Sequence, residues 1–129
     1  MNNQPAKIQI FTEKRIHPRI PVKIPVQFRV IEDPGDIAIT PQRNKVLTGQ
    51  TENVSLGGLC MISDHVLDVG SILRLNVNIP EISKVVLAFA AVVWSIGTET
   101  GLHFEAVKEE DLEVLYNFLS QRALNDKTQ

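Results

Sequence analysis

The sequence predicts an all-β-dominated fold, a small six-stranded antiparallel (split) β-barrel with a C-terminal α-helix. Three observations carry that expectation. Apolar and polar residues alternate with period two through residues 22–30 and 72–79. Turn signals recur at short spacing between such runs. Only the last segment changes period, placing Leu112, Leu115, Tyr116, Leu119 and Ala123 on one helical stripe.

Residues 1–12 have weak periodicity and polar ends, which reads as an arm or a short edge segment. In the first clear strand Val22, Ile24, Val26, Phe28 and Val30 point one way, and Lys23, Pro25, Gln27 and Arg29 the other. Pro25 has no N–H to give a ladder, so this strand is expected at an edge or unpaired at that point. Asp33-Pro34-Gly35-Asp36, followed by Pro41, marks a loop or wide hairpin connection. Residues 45–54 return as a second strand, with Val46, Thr48, Gln50, Glu52 and Val54 on alternate positions.

Residues 55–58 break the pattern and residues 59–62 make a short apolar strand, in which Cys60 reads as a buried small hydrophobe. After a turn at 67–71, Leu73, Leu75, Val77 and Ile79 face one side of the next strand. Residues 85–94 are apolar on both faces, so that strand is central or covered by another element. Residues 97–101 turn the chain, and Leu102, Phe104 and Ala106 then alternate with His103 and Glu105. Glu109, Glu110 and Asp111 suit the positive end of the helix dipole. The domain expectation is an arm over 1–13 and one domain over 14–129, with the barrel over about 14–107 and the helix over about 109–123.

Composition narrows the function. The 129 residues include 13 Lys and Arg against 15 Asp and Glu, a formal charge of −2 that argues against a general DNA or RNA binder. The charge is unevenly spread: residues 1–29 hold six bases and one acid, residues 99–129 seven acids and three bases. A basic front can serve a local anionic ligand without making the whole surface attractive to polyanions. The longest apolar run, 85–94, is about half of what a membrane-spanning helix needs, so no membrane insertion is expected. No signal peptide opens the chain, and the single cysteine suits a reducing compartment, which together imply a cytoplasmic protein. His17, His65 and His103 lie far apart without cysteine partners, and no nucleophile elbow or phosphate loop is present. Neither a metal, a cofactor nor catalysis is therefore expected.

Two clusters do carry chemistry. In Lys14-Arg15-Ile16-His17-Pro18-Arg19 the two arginines lie four apart, and Pro18 keeps a regular helix from running through the second. Such a pair can bracket one anion, each guanidinium holding phosphate oxygens or the O6/N7 edge of a guanine. In Asn53-Val54-Ser55-Leu56-Gly57-Gly58, Asn53 and Ser55 project to one side while Val54 and Leu56 face the core. Gly57 and Gly58 permit positive φ and a close backbone approach. Taken singly, the first reads as solvated arginines and the second as a polar turn between strands.

Together, Arg-x-x-x-Arg and a downstream Asn-x-Ser-x-x-Gly resemble the PilZ domain, the bacterial receptor module for cyclic di-GMP. Trp94, Gly101-Leu102-His103-Phe104 and the closing acidic helix are similar to the late elements of that family. The 33-residue spacer between Arg19 and Asn53 is long for it, an excess that the 34–41 loop accounts for. The resemblance implies that Arg15 and Arg19 grip the phosphates and guanine edges of cyclic di-GMP. It implies that Asn53 and Ser55 face a guanine and that Gly58 leaves room for it, with Lys14, Gly57 and Trp94 as weaker ligand contacts. Lys14 stands where some members carry another arginine and lacks its planar fork. The function so implied is a non-catalytic second-messenger receptor. It would relay occupancy to a downstream effector protein by ordering its N-terminal arginine segment. The alternative is an adaptor of the same fold that binds proteins without the ligand.

Overall fold

The computed structural model describes residues 18–32 and 45–128, with side chains to residue 124. The expected arm, the 34–41 loop and the sites at Lys14, Arg15 and His17 lie outside the described residues. Among the described residues, seven strands and one long helix follow one another: β1 (Ile20–Pro21), β2 (Pro25–Glu32), β3 (Leu47–Ser55), β4 (Gly58–Ile62), β5 (Ile72–Ile79), β6 (Lys84–Ile96), β7 (Glu99–Val107) and α1 (Glu109–Thr128). A 3-10 turn, Pro80–Ile82, separates β5 from β6.

All pairings are antiparallel, in the order β1-β3-β2-β5-β6-β7-β4. The β3–β4 pairing closes the sheet, so six strands form a barrel and β1 is an extra strand on β3. The predicted class holds, and closure leaves those six strands no free edge. The barrel interior is filled by the residues whose alternation pointed to it, among them Val26, Phe28, Leu73, Leu75, Val77, Val86 and Leu102, all at most 3% exposed.

Pro25 is accommodated by position. It is the first residue of β2, opposite Gln50 of β3, and the ladder to β5 begins only at Val26. The strand is thus central, and its proline sits where no donor to β5 is required. Just before it, residues 22–24 leave the regular ladder but stay against β3. Thr51, 1% exposed, fills the break. Its hydroxyl accepts from the Ile24 N–H at 2.9 Å and donates to the Val22 carbonyl at 2.5 Å. Thr51→Val keeps the shape and leaves two buried backbone groups without that partner. A loss of about 1–3 kcal/mol in unfolding free energy is expected by urea titration, and an unchanged midpoint would contradict it.

The inward face of β3 departs from the expected alternation. Leu47 and Thr51 are buried whereas Val46, Thr48 and Gln50 are exposed, and Val54 is fully buried. A bulge between Thr51 and Asn53 inserts Glu52 and switches the parity. Strict period-two counting cannot see such an insertion, so it assigned Val46 and Val54 to one face.

β6 is central, paired with β5 and β7, but its outer apolar residues are not fully covered: Val85, Phe89 and Val93 remain exposed. The helix runs beyond the expected end and buries Leu112, Leu115, Phe118 and Leu119, while Tyr116 faces outward. Its start is tied to β6 by the Asp111 carboxylate, which accepts from the Leu87 N–H at 3.1 Å. Arg122 pairs with Glu81 at 3.0 Å and lies over the Phe118 ring.

Candidate functional site

The second sequence cluster spans the end of β3, a two-residue turn at Leu56 and Gly57, and the start of β4. Cross-strand register places its polar residues on the outer face of the barrel. Val54 pairs with Leu59 and both are buried in the core, so the flanking pairs Asn53–Cys60 and Ser55–Gly58 face outward. The row continues across β7 and β6, where Cys60 pairs with Gly101 and Gly101 with Trp94. On the other side β1 adds Pro21 opposite Asn53.

Ile20, buried opposite Val54, anchors β1 and brings Arg19 to the same outer face. The Arg19 guanidinium Nη1 donates to Asn53 Oδ1 at 2.8 Å. The two sequence clusters, 34 positions apart at these residues, are therefore joined by a hydrogen bond on the barrel exterior. Asn53 keeps its two amide N–H donors for another group, and Arg19 keeps most of its five.

Ser55 is nearly buried, and its hydroxyl is used by the turn. Oγ accepts from the Gly57 N–H at 3.1 Å and donates to the Gly58 carbonyl at 3.3 Å. A hydroxyl has one proton and two lone pairs, so Ser55 retains only an acceptor for a neighbouring ligand. The Gly57 carbonyl accepts from the Phe104 N–H at 2.8 Å, which fixes the turn to β7.

The two glycines differ in the space around them, and neither takes a positive φ. A Cβ at Gly58 would overlap the backbone carbonyl of Leu102, so this glycine serves the close approach of β4 to β7. A Cβ at Gly57 would meet nothing nearer than Ser55 Oγ at 3.9 Å. Open room in this turn lies at Gly57, and Gly58 is occupied by its own barrel. Trp94 is half-buried with its indole across Gly101, where a Cβ would collide with it. It lies three strand spacings from Asn53, about 14 Å along the sheet.

Cys60 is buried, at 4% exposure, as its reading as a buried small hydrophobe expects, and it lies outside the main core cluster. Its neighbours Leu59 and Met61 are the inward residues, and Cys60 is buried beneath the outer face. The thiol donates to Glu52 Oε1 at 3.6 Å, and Glu99 of β7 completes a cluster whose three donor atoms lie within 4.8 Å of one another. Alternation alone would have put Cys60 outside, since Leu59 and Met61 are the better core residues. Glu52 and Glu99 come together only through the β3 bulge and β4–β7 pairing.

Burial, then the hydrogen bond to Glu52 and the charges of Glu52 and Glu99, push the Cys60 thiol from 9.0 up to about 11, with Arg19 pulling the other way. The folded chain thus holds this proton after the unfolded chain releases it. The associated stability is present below pH 9.0 and is lost as pH rises towards about 11. Stability should fall more steeply across that window in the wild type than in Cys60→Ser, measured by urea midpoints. Parallel curves would contradict the assignment.

A sequence model of the PilZ domain family matches residues 13–121. No curated protein matches the chain. Among solved structures, the Bacillus subtilis inhibitor of motility, MotI/DgrA, superposes with a TM-score of 0.69 at 18% identity, covering 87% of this chain and 52% of that one. The chain thus spans about half the length of that protein. The PilZ domain of YcgR from Escherichia coli, solved with c-di-GMP, gives 0.63 at 16% identity over 89% and 97% of the two chains. The PilZ domain of CeSA from a cellulose-synthesizing bacterium gives 0.54 at 16% identity over 78% and 93%. At these identities the solved structures speak for the fold.

Proposed function

Because the chain belongs to the PilZ domain family, we propose that it is a non-catalytic receptor for cyclic di-GMP, with no cofactor. The observation that supports this most is the Arg19–Asn53 hydrogen bond, which joins the arginine segment to the polar turn on one outer face. In this reading Arg15 and Arg19 hold the phosphates and a guanine edge by charge-assisted, forked hydrogen bonds. Asn53 offers its amide and Ser55 its remaining lone pair to a guanine, across the turn that contains Gly57 and Gly58. Lys14 adds charge and Trp94 an apolar rim.

The domain comprises residues 14–129 and the arm residues 1–13. Occupancy draws the segment carrying Arg15 against the barrel, and that rearranged surface is what a downstream effector protein reads. The setting is the cytoplasm, where the ligand is made and consumed. No described helix is long and apolar enough to cross a membrane.

Calorimetric titration of the intact chain with cyclic di-GMP tests the reading. Micromolar or tighter binding is expected. Absence of heat at tens of micromolar protein would sink it and leave a ligand-independent adaptor of the same fold.

A further inference from the structure

β6 carries apolar side chains on the outside of the barrel as well as on the inside. Val85, Leu87, Phe89, Ala91 and Val93 follow one another on its outer face, with Val85 53%, Phe89 37% and Val93 51% exposed. The stripe is about 27 Å long at the rise of an extended strand. A run of this kind, rimmed by polar residues, marks an interaction surface.

Register fixes what flanks the stripe. Phe89 pairs with Arg74 of β5, and Arg74 pairs in turn with Arg29 of β2. Both arginines are exposed, and like charges directly opposite each other weaken a sheet. Neither has an ion pair among the described residues, where the ion pair found is Arg122–Glu81. On the other side Phe89 pairs with Ala106 of β7, beside the exposed Glu105 that the β6–β7 bulge inserts. Leu87, Phe89 and Ala106 also line a hollow of about 500 Å3 together with Lys108, Glu109 and Glu110. The apolar stripe therefore has two bases on its β5 flank, and three acids with one base on its β7 flank. Arg74 and Ala106 each lie one strand spacing, about 4.8 Å, from Phe89.

We propose that this face pairs with the same face of a second copy of the chain, about a two-fold axis lying along β6. That axis sets Phe89 against Phe89 and exchanges the two flanks. Arg29 and Arg74 of each copy then meet Glu105, Glu109 and Glu110 of the other. An axis running across the strands would put arginine on arginine, and charge selects against it. From β2 to β7 the face is about 14 Å wide, so with side-chain relief two copies bury on the order of 1,000 Å2 in total. That is the size of a weak, transient dimer. The proposal does not rest on cyclic di-GMP recognition. Its residues come from β2, β5, β6, β7 and the start of α1, and Arg19→Ala leaves the face intact.

Sedimentation velocity of the full-length chain between about 5 and 500 μM tests it. A monomer–dimer equilibrium in the range of about 10–100 μM is expected, and added salt should weaken it severalfold. Phe89→Asp, Arg74→Glu and Glu109→Arg should each weaken it by roughly tenfold or more, with the far-ultraviolet circular dichroism unchanged. The decisive measurement mixes the Arg74→Glu and Glu109→Arg proteins. Across that heterodimer both altered contacts are again between opposite charges, so the mixture should associate by roughly tenfold or more over either variant alone. A wild type that stays monomeric throughout overturns the proposal and leaves the face to a different protein. A dimer indifferent to Phe89→Asp and Arg74→Glu overturns it too, by placing the interface elsewhere. A mixture no tighter than its components overturns the two-fold arrangement.

Discussion

Arg19→Ala is expected to weaken cyclic di-GMP binding by about 100-fold, corresponding to roughly 3 kcal/mol of charge-assisted hydrogen bonding. Arg19 is exposed, and its only described hydrogen bond is the one to Asn53. Removing the side chain should therefore leave the melting midpoint nearly where it is, because an exposed polar pair contributes little to folding. Arg19→Lys provides the sharper comparison. Lysine keeps the charge and loses the planar fork, so an affinity between wild type and alanine is expected. Equal calorimetric affinity for all three proteins would mean that the Arg19 side chain does not touch the ligand, and the proposed site would have to be redrawn.

The second large effect concerns the barrel. Gly58→Ala inserts a methyl group into the space of the Leu102 carbonyl, and backbone on both strands has no rotamer with which to yield. A destabilisation of about 3 kcal/mol is expected, lowering the midpoint by roughly 10 °C. Gly57→Ala, one position away, meets only ordinary contact at 3.9 Å and should leave the midpoint within a degree or two. This pair distinguishes two meanings of a glycine in a ligand-binding turn. A loss of affinity in Gly58→Ala reports a distorted β4–β7 seam, whereas a loss in a fully stable Gly57→Ala reports on ligand contact. A Gly58→Ala protein as stable as the wild type would overturn the structural role assigned to that glycine.

Much of the architecture was legible because a closed barrel imposes the simplest of patterns. Each strand has one face towards a single core, so β2 and β5 alternate cleanly, with Val26, Phe28, Leu73 and Leu75 inside. The helix was legible from its change of period, although Phe118 and not Tyr116 belongs to the buried stripe. The register of β3 was not legible, since one inserted residue at Glu52 reverses its parity. The same insertion hid the donor cluster, whose members are remote in sequence. Ser55 reads equally well as a ligand contact or as a turn residue, and its hydroxyl is engaged in the turn.

By itself the sequence determined the fold class, the strand faces that fill the core and the basic character of residues 1–29. Those are properties of local composition and periodicity, written into each segment separately. Only the tertiary structure decided that Arg19 meets Asn53, that Gly58 belongs to the barrel seam and Gly57 to open space, and that Glu52, Cys60 and Glu99 converge. Each of these depends on which strands pair and at what register, and register is a property of the closed sheet rather than of any one strand.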